Sequence, residues 1–291
     1  MRKTLGLLVV LVLFLAGCSD DGTLKITNEA LNQVSFTIND GAEEILDSGN
    51  SYSKSWELST SIFSNEEKDV TIDYGFDGVL SHSVTKTVEA GSTTKFEIES
   101  EDGTLLINNL TSREVWFTIN DETEITLDVG ESYSKSWELL EDDIINVDVA
   151  YAGFHVFYDE VEVPVEAGNT TTLHINADGG AIEIWNNSAA FYIEEVYITA
   201  SDDPNWGENR ITVPIGPDES YTWTVTPGDW DVQVVDNWGD VFESLENYIA
   251  LDQTTFFEYT GFKKVDKPAG GMKTEIYTGT SREESKIERK K

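Results

Sequence analysis

Apolar residues recur at every second position in short runs along this chain. Val34/Phe36/Ile38, Val70/Ile72/Tyr74 and Phe96/Ile98 alternate with polar neighbours, and so do Val115/Phe117/Ile119, Val147/Val149/Tyr151 and Leu173/Ile175. A period of two turns one face of an extended strand to a core and the other to water. Asn-Asp, Ala-Gly and Asp-Gly pairs break the runs about every 8 to 12 residues, the spacing of short strands in sandwiches. After the first 17 residues no stretch carries a long helical period. The predicted fold class is all-β: small antiparallel β-sandwiches, immunoglobulin-like or transthyretin-like, with the strand order left open.

The pattern also repeats. Ser51-Tyr52-Ser53-Lys54-Ser55-Trp56-Glu57-Leu58 recurs unchanged as Ser132 to Leu139, and Phe36 to Asp40 recurs as Phe117 to Asp121, both shifted by 81. Val88-Glu89-Ala90-Gly91 recurs as Val165 to Gly168, shifted by 77, the lost residues falling in the polar stretch after Leu58. A diverged third repeat starts at Ala181, with Ile182-Glu183-Ile184 in place of Leu105-Leu106-Ile107 and Pro217 to Tyr221 in place of Val129 to Tyr133. Repeats longer than the ~20–50 residues of solenoid units should each own a core. The expected organisation is a leader at 1–17, a short linker at 18–22, sandwiches at 23–103, 104–180 and 181–261 joined by short linkers, and a disordered basic tail at 262–291.

The leader reading rests on Met1-Arg2-Lys3, the apolar run Leu5 to Phe14, and Leu15-Ala16-Gly17-Cys18, which holds the only cysteine of 291 residues. A positive start, a short apolar stretch and small residues before a cleavage point are what export machinery reads. Leu-Ala-Gly-Cys resembles the lipobox of bacterial lipoproteins. That resemblance implies cleavage before Cys18, acylation of Cys18, and a membrane partner through the N-terminal lipid. The expected location is the cell envelope, at the outer membrane or cell surface in preference to the inner membrane, since Ser19 lacks the aspartate that resembles a retention signal. With one cysteine there is no disulfide within the chain, and stability must come from packed cores.

The net charge of −36 is uneven. Between Cys18 and Gly261 stand 8 basic and 50 acidic residues, while the last 30 residues carry nine Lys/Arg against five Asp/Glu. Such a field repels nucleic acid, which is excluded as a partner.

Catalysis needs a nucleophile, an acid/base pair or a metal gathered in a pocket. His82, His155 and His174 fall at non-equivalent positions of different repeats, and no H-E-x-x-H, G-x-S-x-G or P-loop spacing occurs. The chain is read as a non-enzyme. Calcium is the one cofactor considered, because hard cations take several oxygen ligands from loops; Asp202, Asp203, Asp236 and Asp240 are the candidate ligands, although none matches an EF-hand and Asp also forms turns.

Five of the eight tryptophans lie in repeat 3. Strand parity sends Trp223 and Trp230, like Trp56 and Trp137, toward cores. Trp206 in Pro204-Asn205-Trp206-Gly207 and Trp238 in Asn237-Trp238-Gly239 fall in loops, and Trp116 points outward where repeat 1 has Ser35. Exposed tryptophans stack on sugars or fill protein pockets at small entropic cost, so Trp206, Trp238 and Trp116 are the candidate ligand contacts. Through Asn186-Asn187-Ser188, Val196-Tyr197-Ile198, Asn205-Trp206-Gly207, Pro217 to Tyr221 and Pro227 to Val232, repeat 3 resembles small β-sandwich domains of bacterial lipoproteins and secreted proteins. The resemblance implies a fold and an exported setting. The expected function is a lipid-anchored binding or adhesion module whose third domain meets a glycan or an envelope protein; an acidic spacer and a calcium-stabilised surface module are the alternatives.

Overall fold

The computed structural model describes residues 18–60, 65–261 and 273–277. The leader, most of the basic tail and residues 61–64 lie outside that set, so the expectation for 1–17 falls outside the described residues. Among the described residues every regular element is a strand, and no helix is long and apolar enough to cross a membrane.

Repeat 1 contains β1 (Cys18–Asn28), β2 (Val34–Ile38), β3 (Glu44–Leu46), β4 (Ser51–Thr60), β5 (Glu67–Phe76), β6 (His82–Glu89) and β7 (Thr93–Ile98). Repeat 2 contains β8 (Ser100–Asn109), β9 (Val115–Ile119), β10 (Ile125–Leu127), β11 (Ser132–Leu140), β12 (Ile144–Gly153), β13 (Val156–Glu166) and β14 (Thr170–Ile175). Repeat 3 contains β15 (Gly180–Asn186), β16 (Ile193–Ala200), β17 (Ser220–Val225), β18 (Gly228–Asp236), β19 (Val241–Ile249) and β20 (Thr254–Tyr259), followed by β21 (Lys273–Tyr277).

One topology runs through all three. The sheets are β4-β1-β7 with β3-β2-β5-β6, then β11-β8-β14 with β10-β9-β12-β13, then β17-β15-β20-β21 with β16-β18-β19. The first strand of repeats 1 and 3 pairs parallel with the last, β1 with β7 and β15 with β20. An immunoglobulin sandwich places its first, second, fourth and fifth strands in one sheet. Here the first strand sits between the fourth and the seventh, which departs from the immunoglobulin arrangement.

By contact density the chain forms two compact units: repeat 1 with Ser136–Ile145 and Val165–Thr170, and the rest of repeat 2 with repeat 3. In the first unit the alternating residues close a core around Leu24, Ile26, Val34, Phe36, Val70 and Ile72, all fully buried. In the second, Ile182, Ile184, Val196, Val232, Val234 and Phe257 do the same. Trp56, Trp223 and Trp230, expected in cores, are only half-buried and pack on the core margins. Lys54 and Lys68 each hold their ammonium 5.7 Å from the Trp56 ring, a cation–π arrangement that keeps the charges in water.

Three segments depart from expectation. Residues 18–22, read as a linker, are the first half of β1: Cys18 to Gly22 pair with Thr60 to Trp56 at the far end of β4, whose ladder satisfies a backbone that the polar Ser-Asp-Asp-Gly run gave no reason to read as a strand. Residues 101–103, at the expected boundary between the first two sandwiches, likewise belong to a strand, β8. Lys273–Tyr277, in the expected disordered tail, forms β21 antiparallel to β20, closing a sheet edge that would otherwise expose unpaired amides. Repeat 3 lacks the third strand; only Ile215, bridged to Ile193, marks its place.

Gly22 and Gly103 are required by close approach. A Cβ on Gly22 would stand 2.7 Å from Leu58 and 2.8 Å from the Glu89 carbonyl oxygen; on Gly103, 2.7 Å from Leu139 and 2.8 Å from that of Glu166.

Candidate functional site

Each repeat ends its first strand on a fully buried asparagine: Asn28, Asn109 and Asn186. Its Nδ2 donates across the sandwich to the carbonyl of Leu46, Leu127 or Ile215 at 2.9, 3.0 and 2.8 Å, and to Asn32, Arg113 or Phe191 in the next loop at 2.9, 2.8 and 2.8 Å. Its Oδ1 accepts the amide two residues on, at Ala30, Thr111 or Ser188. A buried amide satisfied on both ends is costly to remove, and here it moulds the same first loop three times. Beside that loop lies the turn between the fifth and sixth strands, and the two together form the trailing end of a repeat.

In the first unit, the trailing end of repeat 1 meets repeat 2. The amides of Leu31 and Asn32 donate to Glu138 Oε1, which also accepts from Ser100 Oγ at 2.5 Å. His82 Nε2 lies 3.0 Å from the Glu141 carbonyl and 3.5 Å from Asp143 Oδ1. In the second unit, the trailing end of repeat 2 meets repeat 3 through the same loop position. Ser112, equivalent to Leu31, donates its amide to Asp252 Oδ1 at 2.9 Å and its hydroxyl to the Asp252 carbonyl at 2.8 Å. His155, 1% exposed, has Nδ1 3.0 Å from Asp252 Oδ1 and 3.2 Å from Ser112 Oγ, with Nε2 2.8 Å from Thr254 Oγ1. Burial lowers its pKa, opposed by the hydrogen bond and charge of Asp252, while Arg113 adds to the lowering. The grouping holds serine, histidine and aspartate, yet serine and aspartate share one ring nitrogen and the histidine is closed off, so it joins two sandwiches and offers no route to a substrate.

Register identifies the counterpart of His155 in repeat 3. The second strand begins opposite Gly153 in repeat 2, at Val115, and opposite Asp236 in repeat 3, at Ile193. Two residues further on stand His155 and Trp238. Trp238 is 78% exposed. Its backbone is nonetheless fixed: Asp236 Oδ1 accepts the amides of Trp238 and Asp240 at 2.9 Å each, Asn237 exchanges hydrogen bonds with Tyr192, and Gly239 takes the φ of +76° that the turn needs. Phe191 meets the indole edge-on at 6.1 Å, and Tyr192 is 49% exposed alongside. The result is an aromatic face on a rigid turn.

The other predicted site residues fall elsewhere. Trp206 is half-buried in the loop after Ala200, at the opposite end of β16 from Trp238, a strand run of roughly 23 Å at 3.3 Å per residue. The structure does not bring the two together. Trp116, expected to face outward, is half-buried and packs edge-on against Phe154 at 5.5 Å, with the Arg113 guanidinium 5.0 Å from the Phe154 ring; Ser35, its counterpart, is 6% exposed. Both faces of the second strand are covered there, which parity alone does not reveal.

The calcium candidates do not converge either. Asp236 is 3% exposed, and Tyr259 donates to its Oδ2 at 2.8 Å, so both oxygens already hold the turn. Burial first, then Asp236, pushes the Tyr259 pKa up. Asp203 Oδ1 accepts the Asn205 amide at 2.9 Å, and Asp202 is exposed beside a shallow cleft with Asp229, Trp230 and Glu246, at the other end of the sandwich from Asp236 and Asp240. Among the described residues no group of three or more His, Cys, Asp or Glu could hold a metal ion. Cys18 opens β1, opposite Thr60.

Sequence reasoning missed the three asparagines, His155 and Tyr192. The asparagines had a signal: shifts of 81 and 77 superpose them, as they do the motifs.

No protein-family model and no curated protein matches the chain. Among solved structures, it is similar to the Bacillus anthracis TIE protein at 12% identity, over 82% of this chain and 50% of that one, with a TM-score of 0.25; the chain thus spans about half the length of that protein. It is similar to the tip fimbrial protein Mfa3 from Porphyromonas gingivalis at 7% identity, over 60% of this chain and 98% of that one, TM-score 0.26. A third similarity is to BcpA, the major pilin subunit of Bacillus cereus, at 11% identity, over 83% of this chain and 99% of that one, TM-score 0.20. Likenesses at this level assign neither ligand nor activity.

Proposed function

We propose that this chain is a non-catalytic, lipid-anchored protein of the cell envelope, at the outer membrane or cell surface, that binds a partner through the trailing end of repeat 3. The observation that carries the binding reading is Trp238, 78% exposed at the position where repeat 2 buries His155 to 1%. A rigid backbone presenting an indole and a phenol to water loses little entropy on binding and resembles the aromatic anchors at which binding energy concentrates. The anchoring reading is supported by Leu15-Ala16-Gly17-Cys18 after an apolar leader. More than one acyl chain gives stable attachment, where a single chain gives marginal binding.

Binding of the mature chain to a panel of envelope glycans and proteins, set beside Trp238→Ala and Trp206→Ala, tests this. Loss with Trp238→Ala and retention with Trp206→Ala is the expected result; equal binding by all three removes the site. Mass spectrometry of the native N-terminus tests the anchor, with an unmodified Cys18 thiol as the contrary result.

A further inference from the structure

We propose that the trailing end of repeat 3 docks the leading edge of repeat 1 in a second copy of this chain, head to tail. The inference rests on the reading of the Trp238 face as a binding surface and names its partner.

Twice within the chain a trailing end is already occupied, each time by the next sandwich, and each time the amide three residues after the buried asparagine donates to a carboxylate of that sandwich: Leu31 to Glu138, Ser112 to Asp252. In repeat 3 the same position is Ala189. It is exposed, and no acceptor among the described residues takes its amide. The loop around it is held by Asn186 as the loops of repeats 1 and 2 are held by Asn28 and Asn109, so the donor is presented in a frame already used for docking.

The complementary edge exists on repeat 1. Glu138 lies in the octapeptide Ser132 to Leu139, which repeat 1 carries unchanged as Ser51 to Leu58, with Glu57 at the position of Glu138. Ser19 stands where Ser100 donates to Glu138. Glu57 is exposed. One chain therefore carries both halves of the contact that joins repeats 1 and 2, at opposite ends of its sequence, and Trp238 and Tyr192 supply the apolar area. Such a contact is heterologous and adds further copies in line. The acidic bodies repel each other, so association strengthens as salt screens them. Because Cys18 opens β1 at the leading edge, insertion of its acyl chains and docking of a second chain compete; an anchored chain offers its repeat 3, and a chain not inserted through its own Cys18 offers repeat 1.

Sedimentation velocity on the chain from residue 18 with Cys18→Ser tests the proposal. The expected result is a sedimentation coefficient that rises with concentration and rises further with added salt. Trp238→Ala and Glu57→Ala each weaken association about tenfold or more, and the two variants mixed form a dimer and nothing larger, since each retains one intact face. A wild-type chain that stays monomeric, variants that associate like wild type, or a mixture that yields larger species or none overturns the proposal. A monomeric chain that still captures an envelope glycan or protein through Trp238 removes this partner and leaves the binding reading; loss of Trp238-dependent capture removes that reading itself.

Discussion

His155 and Trp238 stand at one position of one sandwich and meet opposite fates. His155 is enclosed by Ser112, Asp252 and Thr254, and its surroundings join repeat 2 to repeat 3. Trp238 rests on Phe191 and otherwise meets water. The loop beside each is shaped by an equivalent buried asparagine, yet in repeat 2 the face is covered by Asp252 and Thr254 of repeat 3, while Trp238 stays 78% exposed. The face that is covered in repeat 2 is open at Trp238 in repeat 3, and that is where a partner is to be sought.

The comparison is broken most severely by removing its shared frame. Asn109→Ala removes a donor from the carbonyls of Arg113, Leu127 and Asp128 and the acceptor of the Thr111 amide, and should cost about 3 kcal/mol in denaturant unfolding. Asn186→Ala should cost a similar amount. If either is neutral, the asparagines do not hold the loops.

Next in size is the junction itself. His155→Ala leaves Asp252 and Thr254 without their ring partners and should lower stability by about 2 kcal/mol, whereas Trp238→Ala should stay within about 0.5 kcal/mol, as exposed substitutions do. Comparable losses at the two positions would mean that Trp238 is structural.

A pH series sharpens the same contrast. Burial holds the His155 pKa below its ordinary 6.5, so on unfolding the ring takes up a proton in the window just below 6.5. The stability contribution is complete above pH 6.5 and is lost as pH falls toward the folded value. His155→Gln should flatten this part of the calorimetric pH profile; an unchanged profile would show that His155 does not set it. At the alkaline end the sign reverses for Tyr259, whose raised pKa makes stability fall as pH rises above 10; Tyr74 and Tyr151 add to that slope, so Tyr259→Phe should reduce it.

The smallest expected effect is spectroscopic. Acrylamide should quench Trp238 more than any other single tryptophan, so Trp238→Phe should reduce the accessible fraction of the fluorescence without moving the melting temperature. Unchanged quenching would place Trp238 out of contact with solvent.

Much of this architecture is legible in the sequence. The period of two at Val34/Phe36/Ile38 gives the strands, because burial of one strand face imposes a local pattern, and the octapeptide shared by repeats 1 and 2 together with the diverged match at Ile182-Glu183-Ile184 gives their recurrence. Strand order is not local, and the pairing of β1 with both β4 and β7 leaves no trace in composition. The site is half legible. Trp238 stands out as a loop tryptophan, but its equivalence to His155 depends on strand register through two turns of different residue type. Parity misplaces Trp116 because it tells which way a side chain points and not what lies over it; Phe154 does. The four calcium candidates lie at two ends of the sandwich, and Asp236 spends both oxygens on its own turn and on Tyr259, a use that carboxylate counting cannot separate from metal binding.

Amide hydrogen exchange on dilute, monomeric mature chain tests the central claim most directly. Leu31 and Ser112, docked on carboxylates of the next sandwich, should be protected, while Ala189 at the same loop position should exchange at close to the free-peptide rate. Protection of Ala189 matching that of Leu31 and Ser112 would contradict the account, because it would mean that the trailing end of repeat 3 is already covered.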